Sequence, residues 1–495
     1  MAEAHHVDIL IIGAGAAGQA AAEAAAAAGE ANGAGAAPAS GTAPGAARAL
    51  SICLVSNEDR LPYKRTKISK TPAQGFEADA FAVQSAEWYR EQGVELLTGT
   101  EVTRIDPDRR VAELGHGEAL ITFERLILAT GAAPRLPEAD AGTRGQIHCT
   151  HDIADIEELR AAALRAVAAA TEGEKPRAVV LGGGVLGLEV GYDLHHLGLH
   201  VAVVDRNERL MHRELDAYAG EIAVEQCRRN GMDLYLGEAD YEVRRSAASD
   251  PAPTPAGAEP YPGSAARDAS TRAASARTAW ARTAPGPAEV VLPRTGVTIQ
   301  AEVVAAALGV VPHTHLATAA RLDTGRGIRV DRELRTSHPA VFAAGDCAEH
   351  PDGRVTHLWR DALRQGAVAG ANAVADLVDR PAEVDRYVYE PFRLKCEIFG
   401  TYFFSLCRPS PQENDDYGHR RYYDGPRYVH AYLSRRGNAG GAATAAGDDR
   451  TRHAAEDERV AGVIMVNDKE RRGRYEQAVS EGWTVHQFEA AFELR

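Results

Sequence analysis

The stretch Val7-Asp-Ile-Leu-Ile-Ile12-Gly13-Ala-Gly15-Ala-Ala-Gly18 joins an apolar run to a glycine pattern and then to the alanine-rich segment Ala16 to Gly29. The apolar run is typical of a buried parallel strand, and the alanines favour a helix. In such a strand–turn–helix, Gly13 allows the tight turn, Gly15 lets a pyrophosphate approach the backbone, and Gly18 lets the helix pack against the strand. The phosphates then lie at a helix N-terminus, which favours anions. The stretch therefore predicts a dinucleotide site, the alternative being a turn that is merely rich in Ala and Gly.

A second glycine pattern, Gly182-Gly-Gly184-Val-Leu-Gly187-Leu-Glu189, follows the apolar run Arg177 to Leu181. Asp205 ends the next apolar run at about the spacing expected of the carboxylate that accepts the ribose hydroxyls. A carboxylate there would repel a 2′-phosphate, which favours NAD(H) over NADP. The neighbouring Arg206 would soften that preference, and a plain surface role for Asp205 is the alternative.

Two such patterns in one chain, among apolar runs separated by helical patterns, predict an α/β fold with parallel sheets. We expect two Rossmann-like dinucleotide-binding domains and a smaller C-terminal α+β domain, which is separate, aromatic and more antiparallel. The expected boundaries are 1–152 and 319–383 for the first domain, 153–318 for the second, and 384–495 for the third. Three segments rich in small and polar residues, 31–49, 246–287 and 436–458, are expected to be disordered loops. Two dinucleotide folds also suggest that a bound flavin, reduced by a nicotinamide, passes electrons onward.

Composition narrows the range of functions. The chain has 495 residues, 45% of them hydrophobic, and a formal charge of −15. It can bury large cores, but it is a poor candidate for binding nucleic acid or an anionic membrane by bulk charge. No apolar run reaches the roughly 18 residues of a spanning helix. The six cysteines are expected to be buried. They include no Cys-x-x-Cys and the histidines lack metal-ligand spacing, so we expect no metal site. So few cysteines in a chain of this length favour a reducing, cytoplasmic location.

Further motifs occur in the order found in one known family. Glu58-Asp-Arg-Leu-Pro-Tyr63-Lys-Arg65-Thr-Lys-Ile-Ser69-Lys70 resembles its acidic, Tyr-x-Arg, Leu-Ser-Lys segment, and Leu126-Ile-Leu-Ala-Thr130-Gly131 resembles its Ala-Thr-Gly strand end. Leu210-Met-His-Arg-Glu-Leu-Asp216 and the run Val341-Phe-Ala-Ala-Gly345-Asp346 resemble two more of its signatures. Over most of residues 5–383 the chain thus resembles the FAD- and NAD(P)-dependent pyridine nucleotide oxidoreductases, in the branch of rubredoxin reductase, ferredoxin reductase and the nitrite reductase flavin module.

The resemblance implies that FAD binds the first domain and NAD(H) the second. It implies that Asp346 meets the flavin ribityl chain or the pyrophosphate, that Arg65 meets the pyrophosphate or the adenine side, and that Glu58 binds the FAD ribose. Val102 matches the segment whose backbone reads the adenine. The remaining cofactor contacts that it implies are Thr130, Gly131, Gly309 and Gly345.

Two residues are implied to act at the reacting atoms. Lys70 is expected near the flavin N5 edge, where a cation stabilises negative charge on the reduced flavin. Glu189 is expected to face that edge where the nicotinamide docks. A structural ion pair is the alternative for both residues.

The segment Ile68 to Gly75 contains no cysteine, whereas the disulfide reductases of this fold carry two near the flavin and the related NADH oxidases carry one. We therefore expect electrons to leave directly from the flavin. The leading hypothesis is an FAD-dependent NADH oxidoreductase that reduces a small rubredoxin- or ferredoxin-type protein. An NADH oxidase or small-molecule reductase, acting on a quinone or a nitrogen oxyanion, is one alternative. A slow FAD- and NAD-binding redox sensor is the other.

A partner of that kind is usually acidic, and a chain of net charge −15 would repel it unless charge is locally reversed. The basic segment Lys469 to Arg474 offers such a reversal, supported by Arg420 and Arg421. The alternative is an ordinary solvated helix start.

Overall fold

The chain forms two compact units. The computed structural model describes residues 5–33, 50–68, 81–117, 119–139, 141–246, 287–380, 384–390, 393–407, 416–435 and 458–494. Unit 1 comprises Met1–Ile68, Phe76–Arg135 and Gly309–Glu390, and unit 2 comprises Ser69–Gly75, Leu136–Leu308 and Pro391–Arg495.

Unit 1 is built around one mixed sheet. The strands of unit 1 are β1 His5–Ile12, β2 Ile52–Val55, β3 Val94–Leu97, β4 Val102–Asp106, β5 Val111–Leu114, β6 Ala119–Leu128, β7 Ala132–Pro134, β16 Val310–Pro312, β17 Ile328–Arg329, β18 Val341–Ala343 and β19 Ala348–Glu349. Its helices are α1 Ala16–Gly33, α2 Arg65–Ile68, α3 Ala86–Glu91, α8 His315–Ala319 and α9 Trp359–Leu377. The sheet order is β3-β2-β1-β6-β5-β4, with β18 also paired to β6. Strands β1, β2, β3, β6 and β18 run parallel.

The core of unit 1 explains the apolar run of β1 and the alanine-rich sequence of α1. Strand β1 is buried from Val7 to Ile12, as expected of a central parallel strand covered on both faces. The alanines of α1 let its backbone approach that of α9 closely. A Cβ atom on Gly370 would lie 2.3 Å from the carbonyl oxygen of Ala21. Small side chains on both helices are therefore a packing requirement of this core.

Unit 2 contains a parallel sheet, a three-stranded meander and an antiparallel sheet. Its strands are β8 Ile147–His148, β9 Arg177–Leu181, β10 His200–Asp205, β11 Asp233–Leu236, β12 Glu242–Arg245, β13 Ala288–Leu292, β14 Val297–Ala301, β15 Val303–Ala306, β20 Arg393–Ile398, β21 Thr401–Leu406, β22 Gly418–Asp424, β23 Arg427–Arg435 and β24 Glu458–Val466. Its helices are α4 Ala141–Arg144, α5 Ile153–Ala169, α6 Val185–His196, α7 Ala217–Arg229, α10 Arg472–Glu481 and α11 Val485–Phe492.

The parallel sheet of unit 2 has the order β11-β10-β9-β15-β8 and is buried on both faces. Alternate residues of β9 enter different cores, because successive side chains of a strand point to opposite faces. Val180 packs in the core that includes residues of α5, α6 and α7, whereas Val179 packs in the core that includes β13 and β14.

The C-terminal sheet has the order β20-β21-β24-β23-β22, and all its pairings are antiparallel, as expected. This sheet lies in the same compact unit as residues 136–308, and the expected domain boundary at residue 384 stays a prediction. Phe403 and Ile464 share a core with residues of α6 and α7, while Phe404 and Met465 face α10 and α11.

A polar contact fixes this packing. Asp216 caps α7, with its Oδ1 accepting from Ala219 N at 2.9 Å. Its Oδ2 accepts from the Tyr428 hydroxyl at 2.5 Å and lies 2.6 Å from His430 Nδ1, so two strand side chains bind the start of that helix. These bonds hold the pKa of Asp216 below its usual range despite burial, which acts in the opposite direction.

The described ends of the three expected loops are ordered further than the sequence suggests. Helix α1 continues through Gly33, Ser246 N donates to Pro287 O at 3.1 Å, and β24 begins at Glu458. The intervening residues 34–49, 247–286 and 436–457 lie outside the described part of the chain.

The approach of α1 to α9 generates a stability prediction. Gly370→Ala should destabilise the protein by about 1–3 kcal/mol, because the added methyl group overlaps a backbone carbonyl that belongs to another helix. Gly473→Ala is the matched control, since a Cβ atom there meets nothing within 4 Å. Thermal unfolding followed by circular dichroism should show a lower midpoint for the first variant alone. Equal midpoints would contradict the packing described here.

Candidate functional site

The two glycine turns have the same local geometry. Gly13 has φ +101° and its N–H donates to Val55 O at 2.8 Å, and Gly182 has φ +113° and donates to Val204 O at 2.8 Å. A Cβ atom on Gly13 would lie 2.2 Å from Ala129 O. Each turn thus joins its own strand to the next strand, and only glycine fits at its first position.

The other two glycines of each pattern also have matching surroundings. A Cβ atom on Gly18 would lie 1.8 Å from Gly13 O, and one on Gly187 would lie 1.9 Å from Gly182 O. By contrast, Gly15 and Gly184 face open space, with nothing within 4 Å of a Cβ atom. Helices α1 and α6 start beside these open positions, so their free N–H groups are available to an anionic ligand.

The first turn forms one side of a cleft that holds several of the expected FAD-binding residues. Gly15, Glu58 and Arg65 line it together with Arg60 and Tyr63. Glu58 binds the Arg65 guanidinium through Oε1 and accepts from the Tyr63 hydroxyl through Oε2 at 2.7 Å. Glu58, the expected ribose acid, and Arg65, the expected pyrophosphate cation, therefore lie close together, but they bind each other.

The second part of the expected FAD site is formed by the ends of β6 and β18. Thr130 Oγ1 donates to His313 O at 3.0 Å, and His313 N donates to Gly131 O at 2.9 Å. A cavity of about 470 Å³ lies against this loop and is lined by residues 312–315, 318 and 319. Gly345 has φ +82°, and its N–H donates to Gln365 Oε1 at 2.7 Å.

Asp346 follows this turn. Burial raises the pKa of its carboxyl group, while the nearby His357 and Arg65 act in the opposite direction. Arg65 therefore acts electrostatically on Asp346 while it binds Glu58.

In the second turn, Asp205 serves the turn itself. Its Oδ2 accepts from Gly183 N, and its Oδ1 accepts from Asn207 N at 2.6 Å and from Asn207 Nδ2 at 2.7 Å. A carboxylate offers about four lone-pair positions, so three protein bonds leave room for one ribose hydroxyl. Asp205 as the ribose acid stays a prediction.

The remaining expected site residues have more varied placements. Val102 is buried at the start of β4, Gly309 has φ +85° and accepts from Arg135 N at 2.9 Å, and Glu189 is half-buried on α6. Lys70 lies outside the described residues. The roles assigned to these four positions stay predictions.

Three contributors to the site were missed by sequence reasoning. Tyr63 and Arg60 lie inside the quoted motif, and their positions beside Glu58 are the signal that could have found them. Gln365, which is fully buried on α9 and holds the Gly345 turn, has no local signal, because its partner is twenty residues away.

The basic segment at residues 469–474 is not a free patch. Lys469 binds Glu397, Arg472 lies 3.7 Å from Glu476, and Arg471 binds Asp468 and the Phe492 carbonyl. These contacts favour the ordinary alternative over a docking surface.

Neither a metal site nor a membrane-spanning helix is found among the described residues. No group of three or more His, Cys, Asp or Glu side chains there is arranged to hold a metal ion. Within the same ranges, every helix is too short or too polar to cross a membrane. None of the six cysteines, which all lie in the described ranges, forms a disulfide bond, and all but the half-buried Cys407 are buried.

The residues present fit two dinucleotides. Each turn offers an open glycine, a helix N-terminus and an acid at the end of the neighbouring strand or just after it. The first cleft adds a guanidinium nitrogen, Arg60 Nη1, that is buried without a hydrogen-bond partner among the described residues. Such a group suits a phosphate oxygen.

Comparisons with known proteins show which family the chain resembles in sequence and in fold. A family model described as pyridine nucleotide-disulphide oxidoreductase matches residues 7–251 and 274–366. The ferredoxin–NAD(+) reductase component of the anthranilate 1,2-dioxygenase system of Burkholderia cepacia is 30% identical over 329 residues, which are 65% of this chain and 68% of that protein. The rubredoxin–NAD(+) reductase of Pseudomonas putida is 26% identical over 298 residues, 60% of this chain and 65% of that protein.

Some alignments cover much less of the relative, down to 31% of a nitrite reductase from Bacillus subtilis. The fold is also similar to that in the structure of a covalent putidaredoxin reductase–putidaredoxin complex. The TM-score is 0.67 at 21% identity, over 97% of this chain and 93% of that chain.

The Asp205 geometry generates a specificity prediction. Asp205→Asn keeps an oxygen that can accept from Gly183 N but removes the charge that would repel a 2′-phosphate. The preference for NADH over NADPH, measured as the ratio of kcat/KM values for flavin reduction, should fall about tenfold. Asp240→Asn, at an exposed position, is the control for net charge. A wild type that already prefers NADPH would contradict the assignment and point to Arg206 as the reader.

Proposed function

The chain belongs to the pyridine nucleotide-disulphide oxidoreductase family, and we propose that it passes electrons from NADH through FAD to a small electron-transfer protein of the rubredoxin or ferredoxin type. Family membership makes it an FAD-dependent NAD(H) oxidoreductase. The observation that carries the proposal is the duplicated turn. Gly15 and Gly184 face open space at the starts of α1 and α6, and the strands that precede these helices lie in different sheets. We further propose that the protein acts in the cytoplasm, since none of its six cysteines is in a disulfide.

Bound FAD supplies a hydride acceptor that can also release electrons one at a time. The protein supplies binding and electrostatics. The N–H groups that start α1 and α6 hold the two pyrophosphates, and Gly345 and Asp346 hold the ribityl side of the flavin. Lys70 at the N5 edge and Glu189 at the nicotinamide position are the residues that we propose to act on the reacting atoms.

The absence of a cysteine beside Lys70, at the expected flavin edge, supports a small electron-transfer protein as the electron acceptor. The segment Ile68 to Gly75 has no cysteine. Burial raises the pKa of Cys53 to about 12 and also raises that of Cys347, so both buried thiols disfavour the thiolate form. A direct transfer from the flavin to a docked partner needs no thiol.

The experiment separates the two half-reactions. Full-length protein loaded with FAD should lose its flavin absorbance on anaerobic addition of NADH. It should regain that absorbance when oxidised rubredoxin or a [2Fe–2S] ferredoxin is added, as followed by stopped-flow spectrophotometry.

Three results would contradict the proposal in different ways. A flavin that stays oxidised would remove NADH as the donor. Steady NADH consumption in air, unchanged by rubredoxin or ferredoxin, would favour an oxidase or small-molecule reductase. Slow turnover with every acceptor would favour a redox sensor.

A further inference from the structure

Arg60 is a cation in the cleft of the first glycine turn whose charge is only weakly balanced by the described residues. It lines this cleft together with Ala14, Gly15 and Glu58. Its side chain is 25% exposed, and its Nη1 atom is buried without a hydrogen-bond partner among the described residues. Among the described residues, the one ion-pair contact of Arg60 joins its Nε to Asp59 Oδ1 at 3.7 Å. The Asp59 side chain is 86% exposed. So exposed a pair contributes little.

Arg65, the cation that the family resemblance assigns to the pyrophosphate, is in the opposite situation. It binds Glu58 Oε1, and Glu58 also accepts from the Tyr63 hydroxyl. The positive charge of Arg65 is therefore balanced by a half-buried carboxylate within the cleft.

The charge balance of this cleft then calls for an anion. The N-terminus of α1 directs partial positive charge toward Gly15, and Arg60 adds a full positive charge on the same side. The carboxylate that lines the cleft is already paired with Arg65. A buried guanidinium N–H without a partner is costly unless a ligand accepts from it, and phosphate oxygens match its geometry.

We propose that Arg60 binds the pyrophosphate of the FAD held at the first glycine turn, and that Arg65 instead positions Glu58. This inference rests on the proposed function for the presence of FAD at this turn. It adds the residue that supplies the neutralising charge.

The test compares ligands with and without phosphate. ADP and adenosine are titrated separately into the full chain from which flavin has been removed, with NAD(+) present to occupy the second glycine turn, and binding is detected by calorimetry. Arg60→Met should weaken ADP binding about ten- to a hundredfold and leave adenosine binding unchanged, because charge-assisted bonds to phosphate are lost. In the flavin-loaded protein, the same variant should release FAD faster, as measured by recovery of flavin fluorescence.

Matched variants separate a charge contact from a general effect. Lys64→Met removes a positive charge from an exposed position in the same segment and should bind ADP like the wild type. Arg60→Lys should keep most of the ADP affinity, whereas Arg60→Gln should lose it. This pair keeps the test valid if the Met variant fails to fold.

Two results would overturn the assignment of Arg60. One is wild-type ADP affinity in Arg60→Met or Arg60→Gln, and the other is an equal loss of ADP and adenosine binding. A wild-type chain that binds neither ADP nor FAD would instead overturn the proposed function, so the two failures are distinguishable.

Discussion

At the third glycine of each turn, a backbone carbonyl oxygen fills the space that a side chain would need. The Gly13 oxygen lies 1.8 Å from the Cβ position of Gly18, and the Gly182 oxygen lies 1.9 Å from that of Gly187. This close approach sets where α1 and α6 begin, directly against the strand that precedes each of them. The helix N–H groups then point into the same space that Gly15 and Gly184 leave open. Because a displacement of either helix would change the helix start and the open backbone position together, the dinucleotide binding proposed for each turn depends on this one contact.

The acids beside the two turns are engaged with the protein in different ways. Asp205 accepts three protein N–H groups and braces the turn that it follows, whereas Glu58 binds Arg65 and Tyr63 across the cleft. The Asp205 carboxylate thus stabilises the second turn through bonds within the protein, and it can do so whether or not it also binds a ribose. This double use favours a preformed site, in which less ordering remains to be completed on binding.

The sequence was informative where a function needs a local pattern, and less so where it needs a distant partner. The spacing of Gly13, Gly15 and Gly18 predicted the strand–turn–helix, because the three glycines form one pattern within six residues of the sequence. It did not predict that Asp216 would bind Tyr428 and His430, which lie more than two hundred residues further along the chain. Nor did it predict that the acid paired with Lys469 in the basic segment would come from β20.

The buried thiols bear on how electrons leave the site. Cys347 follows Asp346 directly, but it is fully buried, and its Sγ lies 3.3 Å from both Leu128 O and Ala344 O. Burial raises the pKa of this thiol, so the nucleophilic thiolate is disfavoured despite its place next to an expected flavin contact. Although the description of the family refers to disulphide chemistry, the thiol of Cys347 is buried in the core of unit 1. A thiol relay would need both a thiolate and access to solvent or substrate, and Cys347 offers neither. Transfer straight from the flavin to an acceptor at the protein surface is the route that these residues favour.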